Sequence, residues 1–211
     1  MRYLIEKKLE MRIAIDLNDV LRDYTRSFAK YYKQGKDRTF DLATLDDLYT
    51  NDLYQIFPFN STDEYNKFIY EDYSWEIFGK SETCTRTLTS DLKIWLTRTI
   101  LDIDIDEPIE VLIVSTKEYG LSVASSYFFI SKLGVPIREV YFPTDSSKIW
   151  EKCDILITAN PDLLDTKPDD KKTVRIEKDY NKECAYDVTY ATLTDFFSER
   201  INTEKLINNG K

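Results

Sequence analysis

From residue 109 onward the chain alternates short apolar runs with helix-patterned stretches, and this alternation restricts the fold more than any other feature. Residues 109–114 read as a strand, 120–133 as a helix, 137–142 as a strand and 146–151 as a short helix. Further strands are expected at 154–157 and 174–176. Strands separated by helices pair in parallel, and a parallel sheet needs a covering layer on each face. An earlier strand is predicted at 12–16, where Arg12-Ile13-Ala14-Ile15 runs into Asp16. The helix after it carries Leu21, Tyr24, Phe28, Tyr31 and Tyr32 at helical spacing and stops at Gly35.

Between these two regions the pattern is different. Residues 38–85 are rich in aromatics and acids and contain no convincing strand, and 90–101 reads as a helix with Leu92, Trp95, Leu96 and Ile100 on one face. The expected organisation is a three-layer α/β core over 11–20 and 108–197, with a helical cap over 21–107 inserted between the first and second strands. Residues 1–10 form an extension and 198–211 a tail, both candidate arms for contacts with other protein chains. The cap aromatics, such as Tyr49, Phe57, Phe68, Trp75 and Phe78, read first as a small core, then as a protein interface or a base-stacking surface.

Composition removes whole classes of chemistry. None of the 211 residues is histidine, so Ser-His-Asp triads, Cys-His pairs, His-ligated zinc and imidazole bases are excluded. With five glycines there is neither a GxGxxG string nor a Walker loop. A net charge of −9 argues against bulk nucleic-acid binding, which needs a basic face. Cys84, Cys153 and Cys184 are odd in number and widely spaced, and they read as free thiols of a reducing compartment. No apolar run approaches ~18 residues, so no membrane span is expected, and the predicted location is the cytoplasm.

Ligands of open parallel sheets bind outside the carboxyl ends of the strands. Those ends carry Asp16-Leu17-Asn18-Asp19, then Ser115-Thr116-Lys117, then Asp145-Ser146-Ser147-Lys148, then Thr158-Ala159-Asn160-Pro161. Each residue also has a structural reading: Asp16 as a turn cap, Ser115 or Thr116 as a helix N-cap, Lys148 as a solvated lysine and Asn18 as a turn residue.

These motifs resemble the haloacid dehalogenase (HAD) superfamily, most closely its 5'(3')-deoxyribonucleotidase-like branch. The likeness spans the first-strand motif, the hydroxyl after Val111-Leu112-Ile113-Val114, Lys148 ahead of Asp154, the Asn160-Pro161-Asp162 segment and Tyr180-Asn181. It implies Asp16 as a nucleophile that forms an aspartyl-phosphate, Ser115 or Thr116 as phosphoryl ligands, and Lys148 as the cation joining nucleophile and phosphate. It also implies Mg²⁺ held by Asp16, a backbone carbonyl two residues on and a fourth-strand acid. The sequence departs from the family where the chemistry is most demanding. Asn18 stands at the position of the acid/base aspartate, and Thr158 and Ala159 stand where the metal-binding acids belong. An amide cannot transfer the proton, a loss of ~10²–10⁴ in rate.

The resemblance with these losses points to a catalytically impaired pseudophosphatase serving a structural, assembly or interaction role, with no cofactor expected. The alternative is a Mg²⁺-dependent 5'-nucleotidase or phosphatase acting through Asp16. The Lys-, Asn-, Tyr- and Ile-rich, glycine-poor composition resembles proteins of AT-rich bacteria and their phages, which would make the setting a virion.

Overall fold

The computed structural model describes residues 11–101 and 109–199. The expected arms at 1–10 and from 200 onward lie outside the described residues. Six strands form one sheet: β1 (Met11–Asp16), β2 (Ile109–Val114), β3 (Glu139–Tyr141), β4 (Ile155–Thr158), β5 (Lys172–Ile176) and β6 (Val188–Tyr190). Their order is β3-β2-β1-β4-β5-β6, and every pairing is parallel. The chain runs outward from β1 in one direction to β3 and then in the other to β6. The strand order therefore reverses between β1 and β4, the place where an α/β sheet opens a crevice.

The two-residue period of the strands sorts side chains into two layers. Ile13, Ile15, Val111, Ile113, Ile155 and Ile157 enter one layer. It is closed by α4 (Leu88–Leu101), α5 (Leu121–Leu133) and α7 (Leu193–Ser198), through residues such as Leu92, Trp95, Phe129 and Phe196. Ala14, Leu112, Val114 and Leu156 enter the other, against Ile149, Trp150 and Leu163. Ile149 ends a 3₁₀ turn (Ser146–Ile149), and Leu163 belongs to a short helix, α6 (Pro161–Asp165), with Asn160 as its N-cap. This is the expected three-layer α/β core.

Two features differ from the sequence reading. The edge strand β6 and helices α6 and α7 are additional, each too short to carry a clear period. Helix α4 packs Leu88, Leu92, Trp95 and Leu96 into the sheet layer, although the sequence assigned 21–107 to the cap. An apolar helix face is buried by whichever layer it meets, and its periodicity does not name that layer.

The remaining insertion has its own core. It contains α1 (Tyr24–Gly35), α2 (Leu53–Ile56), α3 (Thr62–Lys67), a 3₁₀ turn (Leu42–Asp47) and two π-turns (Phe68–Asp72 and Trp75–Gly79). Phe28, Phe57, Phe68 and Tyr32 pack ring on ring, with Phe28–Phe57 centroids 4.8 Å apart and Tyr32–Phe57 centroids 4.9 Å apart. Most of the aromatic richness is thus spent on a small core. Two connecting segments tie it to the sheet: Asp23 N–H donates to the Glu82 carbonyl (3.0 Å) and Cys84 N–H to the Leu21 carbonyl (3.1 Å).

Candidate functional site

Asp16 ends β1 and is almost fully buried. The pairing of Ile15 with Ile157 puts Asp16 beside Thr158, one residue further along each strand and on the same face. The Thr158 hydroxyl donates to Asp16 Oδ2 at 2.7 Å. Burial pushes the Asp16 carboxyl up to about 7, and the nearby charge of Glu118 adds to the rise. The Thr158 hydroxyl and the N–H groups of Asn18 and Leu17 oppose it. The cleft over this carboxyl is bordered by Asn18, Tyr24, Thr116, Lys117, Asn160 and Tyr180. Its volume is ≈ 20 Å³, room for about one water.

Asn18 is committed elsewhere. Its Nδ2 donates to Ser115 Oγ (2.9 Å), and its Oδ1 accepts from Arg22 Nε (3.0 Å) and from Arg22 Nη2. Arg22, fully buried, uses all five of its N–H donors. Besides Asn18, they reach Glu118 Oε1 (2.7 Å), the Phe78 carbonyl (2.8 Å) and Ser126 Oγ (2.8 Å). The guanidinium also lies 4.9 Å from the Phe78 ring centroid. The Glu118 side chain is likewise fully buried, so the pair sits in a low-dielectric setting. One side chain therefore joins the β1 loop, the inserted cap and α5. Sequence reasoning missed both members of this pair. The available signal was a lone arginine in the apolar run Val20-Leu21-Arg22, flanking the motif.

The other predicted residues separate into two groups. Ser115 is fully buried, held by Asn18, and accepts the Lys117 N–H (3.4 Å). Thr116 borders the Asp16 cleft and accepts from Asn160 Nδ2 (3.4 Å). Neither caps a helix, since α5 begins after Gly120. Lys148 does not join them: it is exposed and pairs with Glu151 (2.6 Å). Ala159 faces the apolar layer with Ile13 and Ile157, so only position 158 is aimed at Asp16. The positive backbone φ in the motif falls at Asp19 (57°) and not at Asn18. The Asp19 carboxylate accepts from Thr25 N–H (2.9 Å), the Thr25 hydroxyl (2.6 Å) and the Tyr180 hydroxyl (3.2 Å).

A larger cavity of ≈ 370 Å³ lies beyond Asp19 and Tyr180, bordered by Asp23, Arg26, Leu48 and Lys178. Asp16 does not line it.

A solved structure shares this architecture. It is the crystal structure of a protein assigned as a haloacid dehalogenase-like hydrolase from Burkholderia xenovorans LB400. The two superimpose with a TM-score of 0.55 at 10% sequence identity, over 92% of this chain and 97% of that one. The fold is HAD-like. No protein-family profile and no curated protein matches the sequence.

On this HAD-like fold, the ion implied by the resemblance can be tested against the donors present. Mg²⁺ takes an octahedron of oxygens, commonly with one or two carboxylates plus waters. Here Asp16 faces a hydroxyl that already donates to it, in a space for about one water. Among the described residues there is no group of three or more acidic or cysteine ligands. A carboxyl raised to about 7 is also partly protonated at neutral pH, which weakens it as a ligand. These residues do not fit Mg²⁺.

The Asp16 environment has a measurable consequence. Its ordinary value is 3.8 and its folded value about 7, so the folded chain binds the extra proton between those limits. Stability is therefore highest at low pH and falls as pH rises through that window. Between pH 5 and pH 8 the loss from this one group is about 2–3 kcal/mol, at ~1.4 kcal/mol per pH unit. Asp16→Asn removes that slope. Urea unfolding of both forms at the two pH values checks it: equal slopes for wild type and variant would sink this reading.

Proposed function

We propose that this chain is a catalytically impaired HAD-fold protein, a pseudophosphatase serving assembly or interaction and not phosphate hydrolysis. One observation carries the reading: the Asp16 carboxyl is held by a threonine hydroxyl, and among the described residues no ion pair reaches it, although Lys117 borders the same cleft. A phosphoryl-transfer site works by positioning and by stabilising charge on the transferring group. Asn18 and Ser115 are instead bonded to each other, and Lys148 pairs with Glu151 on the surface. Arg22 further ties the Phe78 carbonyl of the cap to Glu118 and Ser126 beside the sheet, which opposes the lid movement that admits a substrate. The composition is the support for a phage particle as the setting.

The nucleotidase alternative retains Asp16 at the strand end and Thr116 beside it. Steady-state assays with nucleoside monophosphates and an aryl phosphate in Mg²⁺ separate the two. The expected result is equal background rates for wild type and Asp16→Asn. Wild-type turnover abolished by Asp16→Asn would establish the nucleotidase.

A further inference from the structure

The ≈ 370 Å³ cavity beyond Asp19 is built apart from the small cleft over Asp16. One wall comes from the core, where Glu177 to Lys182 follow β5 and Ala191 follows β6. The carboxyl ends of the strands are where open parallel sheets receive ligands. The other wall comes from the start of α1, with Asp23 and Arg26, and from Leu45 and Leu48 around the 3₁₀ turn of the cap. The volume falls within the range of about 300–1,000 Å³ found for small-molecule sites. The cap side is largely apolar and the core side charged.

Most charges on these walls are answered locally. Asp23 Oδ2 lies 3.5 Å from Arg26 Nε, Glu177 lies 3.8 Å from Arg175, and Asp179 pairs with Lys182. Two charges are not answered. The buried Asp19 carboxylate is held by neutral donors alone, the Thr25 N–H and hydroxyl and the Tyr180 hydroxyl. Those three bonds leave room for one more, since a carboxylate has about four acceptor positions. Lys178 makes no ion pair among the described residues. Its main-chain N–H donates to Asn181 Oδ1 at 2.9 Å, which fixes the backbone at this point of the wall.

The two unanswered charges act over a short span. Burial pushes the Asp23 carboxyl up and the Asp19 charge adds to the rise, while Arg26 and Lys178 oppose it. Lys178 therefore stands near the Asp19–Asp23 pair without bonding to it. A ligand with a single charge would answer one of the two groups and leave the other. A zwitterion answers both, with its ammonium at Asp19 and its carboxylate at Lys178. Leu45 and Leu48 then offer an apolar surface to the rest of the molecule.

We propose that this cavity between cap and core binds an apolar α-amino acid. The site is independent of the pseudophosphatase reading, because Asp16 does not line it. Ligand-observed NMR titration of the full chain with L-leucine and L-phenylalanine tests it. The expected result is binding with a Kd on the order of 0.1–1 mM. Isopentylamine and 4-methylpentanoate, which each keep one charge of leucine, should bind at least tenfold more weakly. Asp19→Asn and Lys178→Met should each weaken leucine more than tenfold with unchanged circular dichroism. Asparagine tolerates the left-handed backbone of residue 19 (φ 57°) and keeps an oxygen for the Thr25 N–H, and methionine keeps the apolar stem of Lys178. No binding of either amino acid at about 10 mM would overturn the proposal. So would equal binding of the single-charge analogues, or leucine binding indifferent to both variants.

Discussion

Replacing Arg22 by Met is expected to cost about 3–5 kcal/mol of folding stability, the usual penalty for removing one member of a buried ion pair. The arginine is fully buried, and its removal leaves the Glu118 carboxylate inside the protein without its cation. It also leaves Asn18 Oδ1, Ser126 Oγ and the Phe78 carbonyl without their guanidinium donor. Lys at this position keeps the charge but offers three donors where five are used, so Arg22→Lys should fall between wild type and Met. Adding Glu118→Gln to Arg22→Met removes the stranded charge and should recover a good part of the loss. Urea unfolding at pH 7 reads all four proteins. A loss below about 1 kcal/mol for Met, or no recovery from Glu118→Gln, would show that the network does not bind cap to core.

The second large effect concerns Thr158. Because this position faces Asp16 across a single hydrogen bond, Thr158→Asp creates two carboxyls in one buried space. Like charges so placed cannot both ionise without a cation. The metal-free variant should lose about 3–5 kcal/mol at pH 8 and much less at pH 5, where a proton is shared. For a chain of this length that corresponds to a fall of roughly 6–20 °C in Tm at pH 8. Adding Mg²⁺ should return a substantial part, since a ligand at 100 times its Kd stabilises by about 2.7 kcal/mol. The wild type should show no specific shift with Mg²⁺. Ala159→Asp makes the contrasting case: it enters the apolar layer, destabilises, and is not rescued by the ion. Thermal melts with and without Mg²⁺ decide the matter, and an equal Mg²⁺ response in wild type and Thr158→Asp would contradict it.

What the sequence could reveal depended on the range of the interaction involved. Asp16, Thr158 and Ser115 sit at strand ends, and strand ends are legible because an apolar run stops at a polar residue. The two-residue period even carries the information that Thr158, and not Ala159, shares a face with Asp16, once the register of β1 and β4 is known. Lys148 lies apart from Asp16 because spacing along the chain does not fix direction. Asp145 caps a 3₁₀ turn, Ile149 and Trp150 turn inward, and Lys148 faces outward to Glu151 three residues on. The Arg22–Glu118 pair was not legible because 96 residues separate its members, and the one local mark, an arginine in an apolar run, does not name its partner. Helix α4 kept its predicted pattern, but the layer it covers follows from tertiary packing.

The pseudophosphatase proposal requires that Asp16 form no aspartyl-phosphate. Beryllofluoride with Mg²⁺ mimics that adduct on a competent carboxylate, and ¹⁹F NMR detects the bound fluorine directly. The wild-type chain at pH 7.5 is predicted to give only the free signals. A bound signal that disappears in Asp16→Asn would contradict the claim and restore the phosphatase.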